Sequence, residues 1–118
     1  MRVTSALFVS ALVRRVFATG GFAAVESRGA EEAGAIFVKQ VRRDGSVSLY
    51  GPAPQSIAAD QADAMSDDRL FECRLKDVQE MEVSDLLARE RRFDPDLWVV
   101  EIESRDGWHP LEDEIIDL

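Results

Sequence analysis

Asp44-Gly45, set between the alternating runs 35–43 and 46–50, is the feature that most narrows what this chain can fold into. Asp-Gly suits a two-residue type I′ turn, whose central residues both need φ above zero, so a tight antiparallel hairpin is expected. Counting outward from such a turn pairs Arg42 with Val47, Val41 with Ser48, Gln40 with Leu49 and Lys39 with Tyr50. That register puts Ile36, Val38, Val47 and Leu49 on one face, the expected core side. Phe37, Lys39, Val41, Arg43 and Tyr50 fall on the other, a mixed face that the pattern leaves half covered.

Helical periodicity brackets the hairpin. Ala6, Phe8, Val9, Leu12, Val13, Val16 and Phe17 share one side of a helix that Thr4 or Ser5 can cap and Gly20-Gly21 can end. Arg2 ahead of an apolar stretch imitates an export signal, but Arg14-Arg15 interrupts it and Val16-Phe17 resumes it, so a core helix is expected. A short strand over 22–27 and a loop over 28–34 follow. Past the hairpin, Gly51-Pro52-Ala53-Pro54 breaks the strand, and residues 55–68 read as a mobile acidic loop with a weak helix over 56–64.

Residues 69–78 alternate, with Phe71, Cys73 and Leu75 turned inward. Asp77 and Glu80 are placed as a capping box for a second helix, which must stop near Phe93 because Asp94 precedes Pro95. Residues 97–103 form a last strand with Trp98, Val100 and Ile102 on one face, and 108–118 an acidic tail. The expected fold is one α+β domain over 1–118, in the order α-β-β-β-loop-β-α-β. Its sheet is mostly antiparallel, with both amphipathic helices on one face.

Composition limits function by exclusion. At 46% hydrophobic and 31% charged, 118 residues suit one globular domain, and no apolar run approaches the roughly 20 residues a spanning helix needs. One cysteine, Cys73, and one histidine, His109, exclude an internal disulfide and a Cys/His zinc site, and point to a reducing, cytoplasmic compartment. Residues 1–50 carry +3 and residues 51–118 carry −12. Phosphate neutralisation drives non-specific nucleic-acid binding, so this balance opposes it.

Four blocks carry a resemblance: Val9-Ser10-Ala11-Leu12-Val13-Arg14-Arg15-Val16-Phe17, residues 28–38 from Arg28-Gly29-Ala30, Leu49-Tyr50-Gly51-Pro52-Ala53-Pro54-Gln55, and Arg92-Phe93-Asp94-Pro95-Asp96-Leu97-Trp98-Val99-Val100-Glu101. As a set they resemble a family of short alphaproteobacterial proteins described as a domain of unknown function. The resemblance spans nearly the whole chain up to Glu103. It implies a bacterial cytoplasmic protein and brings no activity, cofactor or catalytic residue.

The motifs that imitate chemistry fail on chemical grounds. Gly29 to Gly34 has phosphate-loop spacing, but Ala35-Ile36 stands where Lys-Ser/Thr is needed, and Glu31-Glu32 would repel phosphate. Asp96, Glu101 and Glu103 imitate a metal-dependent nuclease strand, but Glu103 replaces the charge-stabilising lysine. The acidic clusters at 60–68 and 112–114 do not follow a calcium loop. His109 reads as an exposed loop residue and Cys73 as a buried thiol, so no catalytic residue, metal site or cofactor is assigned.

Two binding readings remain. The leading one is a non-enzymatic protein-interaction or regulatory module using Phe37, Lys39, Val41 and Tyr50 to meet an unidentified protein or a second copy. The alternative is a ligand-binding domain or enzyme whose pairs Arg14-Arg15, Arg42-Arg43 and Arg91-Arg92 converge on a small anionic ligand.

Overall fold

A computed structural model of the chain describes residues 3–54, 69–104 and 109–111. The element order is α1 (Ser5–Ala18), β1 (Phe22–Ser27), β2 (Ile36–Val41), β3 (Val47–Pro52), β4 (Phe71–Val78), α2 (Glu80–Phe93) and β5 (Trp98–Glu103). This is the expected α+β sequence of elements. The expected loop and weak helix within 55–68, and the acidic tail beyond residue 111, lie outside the described residues.

Local chemistry sets the boundaries. The Thr4 hydroxyl accepts from the Leu7 N–H at 3.2 Å and opens α1. α2 starts two residues later than the capping box expected at Asp77: Gln79 donates its N–H to Glu82 Oε2, and Glu82 donates its own to the Gln79 carbonyl. Asp77 instead adopts φ 53° within β4, at the irregularity before Val78 pairs with Val47. Asp94, held before Pro95, ends α2.

The strands form one sheet in the order β1-β5-β2-β3-β4. β5 enters parallel to β2, because α2 carries the chain back along the sheet, and every other pair is antiparallel. The hairpin register is displaced by one residue from the expected one: Val38 faces Tyr50, Lys39 faces Leu49 and Val41 faces Val47. The loop is Arg43-Asp44-Gly45, three residues rather than two, closed by Arg42 N–H to Ser46 carbonyl at 2.9 Å, with Gly45 at φ 87°.

A one-residue slip exchanges faces. Ile36, Val38 and Tyr50 therefore join Trp98, Val100 and Ile102 beneath α1, whose Phe8, Val9, Leu12 and Val16 complete that core. Each fully buried side chain of this size contributes about 1.5–3 kcal/mol. Phe37, Val47, Leu49, Leu97 and Val99 form a second core with Val83 and Leu87 of α2. The helices thus lie on opposite faces, correcting the one-face arrangement. Two-sided burial explains why β2 and β3 read as near-continuous apolar runs.

Between Leu49 and Tyr50 the β3–β4 register shifts again, so Leu75 stays on the α2 face while Phe71 joins the α1 core. Cys73, opposite Tyr50, is exposed rather than inward.

Candidate functional site

The four residues expected to form one exposed hairpin face do not share it. Phe37 is 3% exposed under α2, where Arg74 stands 5.5 Å from its ring, and Tyr50 is 8% exposed on the opposite face. Lys39 is buried and Val41 half-buried, both on the α2 face. The physical reason is the three-residue loop, which sends Tyr50 and Phe37 to different sides.

The arginine pairs do not converge either. Arg14 is exposed on α1, while Arg15 beside it donates to the Pro110 carbonyl at 2.7 Å. Arg42 pairs with Asp77 at 2.6 Å and Arg43 is exposed in the turn. α2 begins at the hairpin end of the sheet, where Gln79, Glu80 and Glu82 share an open cleft of about 380 Å³ with Asp44, Ser46 and Asp77. Its 14 residues run about 21 Å, so Arg91 and Arg92 in the last turn sit at the other end.

Two polar groups that the sequence assigned elsewhere are built into the fold. His109 packs edge-on against Tyr50, ring centres 4.6 Å apart, and its Nδ1 accepts the Leu111 N–H at 3.0 Å. Burial, with a lesser push from Arg42, holds the imidazole down to about 4, so it is neutral at pH 7. The exposed Cys73 thiol lies above its ordinary value, chiefly through partial desolvation, and contacts the Leu75 carbonyl at 3.4 Å. Neither is poised as a base or nucleophile. Among the described residues, no three His, Cys, Asp or Glu side chains are grouped to hold a metal ion.

Lys39 makes two close ion pairs from a buried position. Its side chain is 2% exposed, and its ammonium lies 3.0 Å from Glu26 Oε2 and 2.6 Å from Glu80 Oε1, and so ties β2 to β1 and α2 across β5. Burial alone would push it down, but the Glu80 and Glu26 hydrogen bonds outweigh that and hold it above its ordinary value. The lysine is spent on its own chain's carboxylates. The signal available in sequence was a single lysine within the apolar strand 36–41.

Beside that triad the sheet is only partly covered by the described residues. Phe37, Lys39, Leu97 and Val99 are buried on the α2 face, and cover is lost toward the end where β1 begins and β5 finishes. α2 packs on β3 and β4. On the same face, Phe22 of β1 stays 46% exposed, Glu103 is exposed, and Ala24, Glu101 and Val41 are only half-buried. Phe17, 50% exposed at the end of α1, meets Phe22 edge-on at 5.9 Å. These residues make a shelf bounded by the α2 first turn and the β1 edge. Glu101 and Glu103 alternate with buried Val100 and Ile102, so the sequence pattern already placed them on a wet face. Helical periodicity put Phe17 on the core-facing side of α1, but at the helix end it runs past the sheet and stays half exposed, and Phe22, the first residue of β1, was given no face.

Residues 3–112 match the model of a family described as a protein of unknown function, DUF1491. The solution structure of protein Atu0922 from A. tumefaciens is 59% identical, with a TM-score of 0.82 over 100% of this chain and 98% of that one. The crystal structure of a DUF1491 family protein from Caulobacter crescentus is 34% identical, with a TM-score of 0.77 over 99% of this chain and 100% of that one. No curated protein matches the chain.

Proposed function

The chain belongs to the DUF1491 family, whose description assigns no activity, and from its partly covered sheet face we propose that it is a cytoplasmic, non-enzymatic protein-interaction module. The observation that carries this reading is the shelf: Phe17 and Phe22 meet edge-on, each about half exposed, beside the end of β1 and β5 that no described helix covers. Contiguous apolar surface of this kind, rimmed by charge, marks interaction sites rather than monomer surface. The polar chemistry supports the non-enzymatic part. Ser48 Oγ accepts the Asp77 N–H at 3.1 Å and also contacts the Arg42 and Asp77 side chains, and His109 Nδ1 accepts the Leu111 N–H, so these two side chains serve the fold rather than each other.

Affinity capture from A. tumefaciens lysate tests the reading, with wild type, Phe17→Ser/Phe22→Ser and the distant control Glu31→Lys/Glu32→Lys as baits. The expected outcome is one protein held in stoichiometric amount by wild type and control and lost by the phenylalanine variant, with all three baits melting as folded domains. Identical captures by wild type and the phenylalanine variant would overturn it.

A further inference from the structure

The shelf has a chemistry as well as a shape. Glu26, Glu80, Glu101 and Glu103 surround its floor, and Lys39, the basic group among the described residues of that floor, is buried and matched by two of them. What settles there must bring positive charge and an apolar stripe for Phe22 and Val41.

We infer that the shelf receives a lysine- or arginine-bearing amphipathic helix of a partner protein, laid beside α2 as the second helix of that layer. This rests on the interaction-module reading and adds the partner's chemistry to it. Width favours a helix: among the described residues the open patch runs from Phe22 across Glu103 to Val41, two strand spacings or about one helix diameter. Strand addition at the β1 edge is opposed by the register shift between Val25 and Ser27, which breaks the ladder such a strand would extend.

Charge selects the occupant. The chain's own acidic runs at 60–68 and 112–117 carry the shelf's sign, and a second copy brings a net −9. Anionic lipid and nucleic acid are repelled for the same reason. A cationic helix meets complementary carboxylates at the rim and buries its stripe on the aromatic pair, the mode in which an amphipathic helix lies in a groove.

The probe is a fluorescent 18-residue Leu/Lys peptide whose leucines form one helical stripe, with a control peptide of equal composition whose leucines are dispersed. Anisotropy titrations use the full chain, its Glu101→Lys/Glu103→Lys variant, and Glu31→Lys/Glu32→Lys, which makes the same charge change in the 28–34 loop. The inference expects the striped peptide to bind at least tenfold tighter than the dispersed one. It also expects at least tenfold loss in the shelf variant and no more than about twofold in the loop variant. Amide NMR shifts of the wild type on binding should centre on 22–26 and 101–103. Equal binding of the two peptides, or equal loss in the two charge variants, would overturn the cationic helix as occupant. Lysate capture that still depends on Phe17 and Phe22 would in that case leave the module reading standing with a different partner.

Discussion

His109 shows how a single residue's environment reverses its sequence-level meaning. A histidine next to proline in an acidic tail suggests solvent, yet its ring lies against Tyr50 with Nδ1 bonded to Leu111, itself fully buried beneath the α1 core. Its folded value of about 4 is below the ordinary 6.5, so as pH falls the unfolded chain takes the proton first and the folded state loses ground. The stabilising difference is intact above about pH 6.5 and erodes toward about pH 4. Urea midpoints of wild type and His109→Phe, compared at about pH 7 and about pH 4.5, should therefore converge or cross in the variant's favour as pH falls. A difference that stays constant with pH would mean the imidazole protonates as readily folded as unfolded. The burial itself was illegible, because it depends on Tyr50 reaching the α1 face, and that face was assigned one residue out of register.

At the scale of elements, the boundaries were legible and the faces were not. Thr4, Gly20-Gly21 and Asp94-Pro95 act through local backbone chemistry, so α1 and the end of α2 stand where the sequence put them. Asp44-Gly45 is locally ambiguous. It serves a two-residue I′ turn or, as here, the end of a three-residue loop with Gly45 alone at positive φ, and the choice between them flips every side chain of the hairpin. A different restraint acts in the loop between β1 and β2. A Cβ at Gly34 would collide with the Asp96 carbonyl and lie 2.9 Å from the Ala30 nitrogen, whereas one at Gly45 would meet nothing within 4 Å. Gly45→Ala should cost about 1–2 kcal/mol through its left-handed backbone alone. Gly34→Ala must move the loop off the turn that feeds β5, where Ala30 N–H bonds Asp96 and Trp98 Nε1 bonds the Ala30 carbonyl, and should cost more, about 3 kcal/mol. Chemical denaturation of the two variants orders them, and equal costs would refute the close approach at Asp96.

Over the whole molecule, the arrangement of the helices on opposite faces was beyond local reading, because it follows from β5 entering between β1 and β2, a pairing across most of the chain's length. That topology also decides where charge accumulates. It gathers Asp44, Asp77, Glu80 and Glu82 at one cleft and Glu26, Glu101 and Glu103 at the adjoining shelf, in a chain of net −9. Folding therefore works against self-repulsion that salt screens, since the Debye length shrinks from about 10 Å at 0.1 M to about 3 Å at 1 M. The Lys39 pairs lose part of their attraction at the same time, because Glu26 and Glu80 are about half exposed even though the lysine is buried. Raising NaCl from about 0.05 M to about 0.5 M should lift the thermal midpoint of the isolated protein by about 4 °C, the equivalent of roughly 1 kcal/mol for a domain near this size. Binding of a cationic helix to the shelf should move the other way, weakening with salt because the same carboxylates are then attractive. Opposite slopes in a melting series and a titration series on one preparation would tie both effects to this acidic end. A midpoint that falls with salt would show that attractive surface pairs, rather than repulsion among the clustered carboxylates, dominate the folded state.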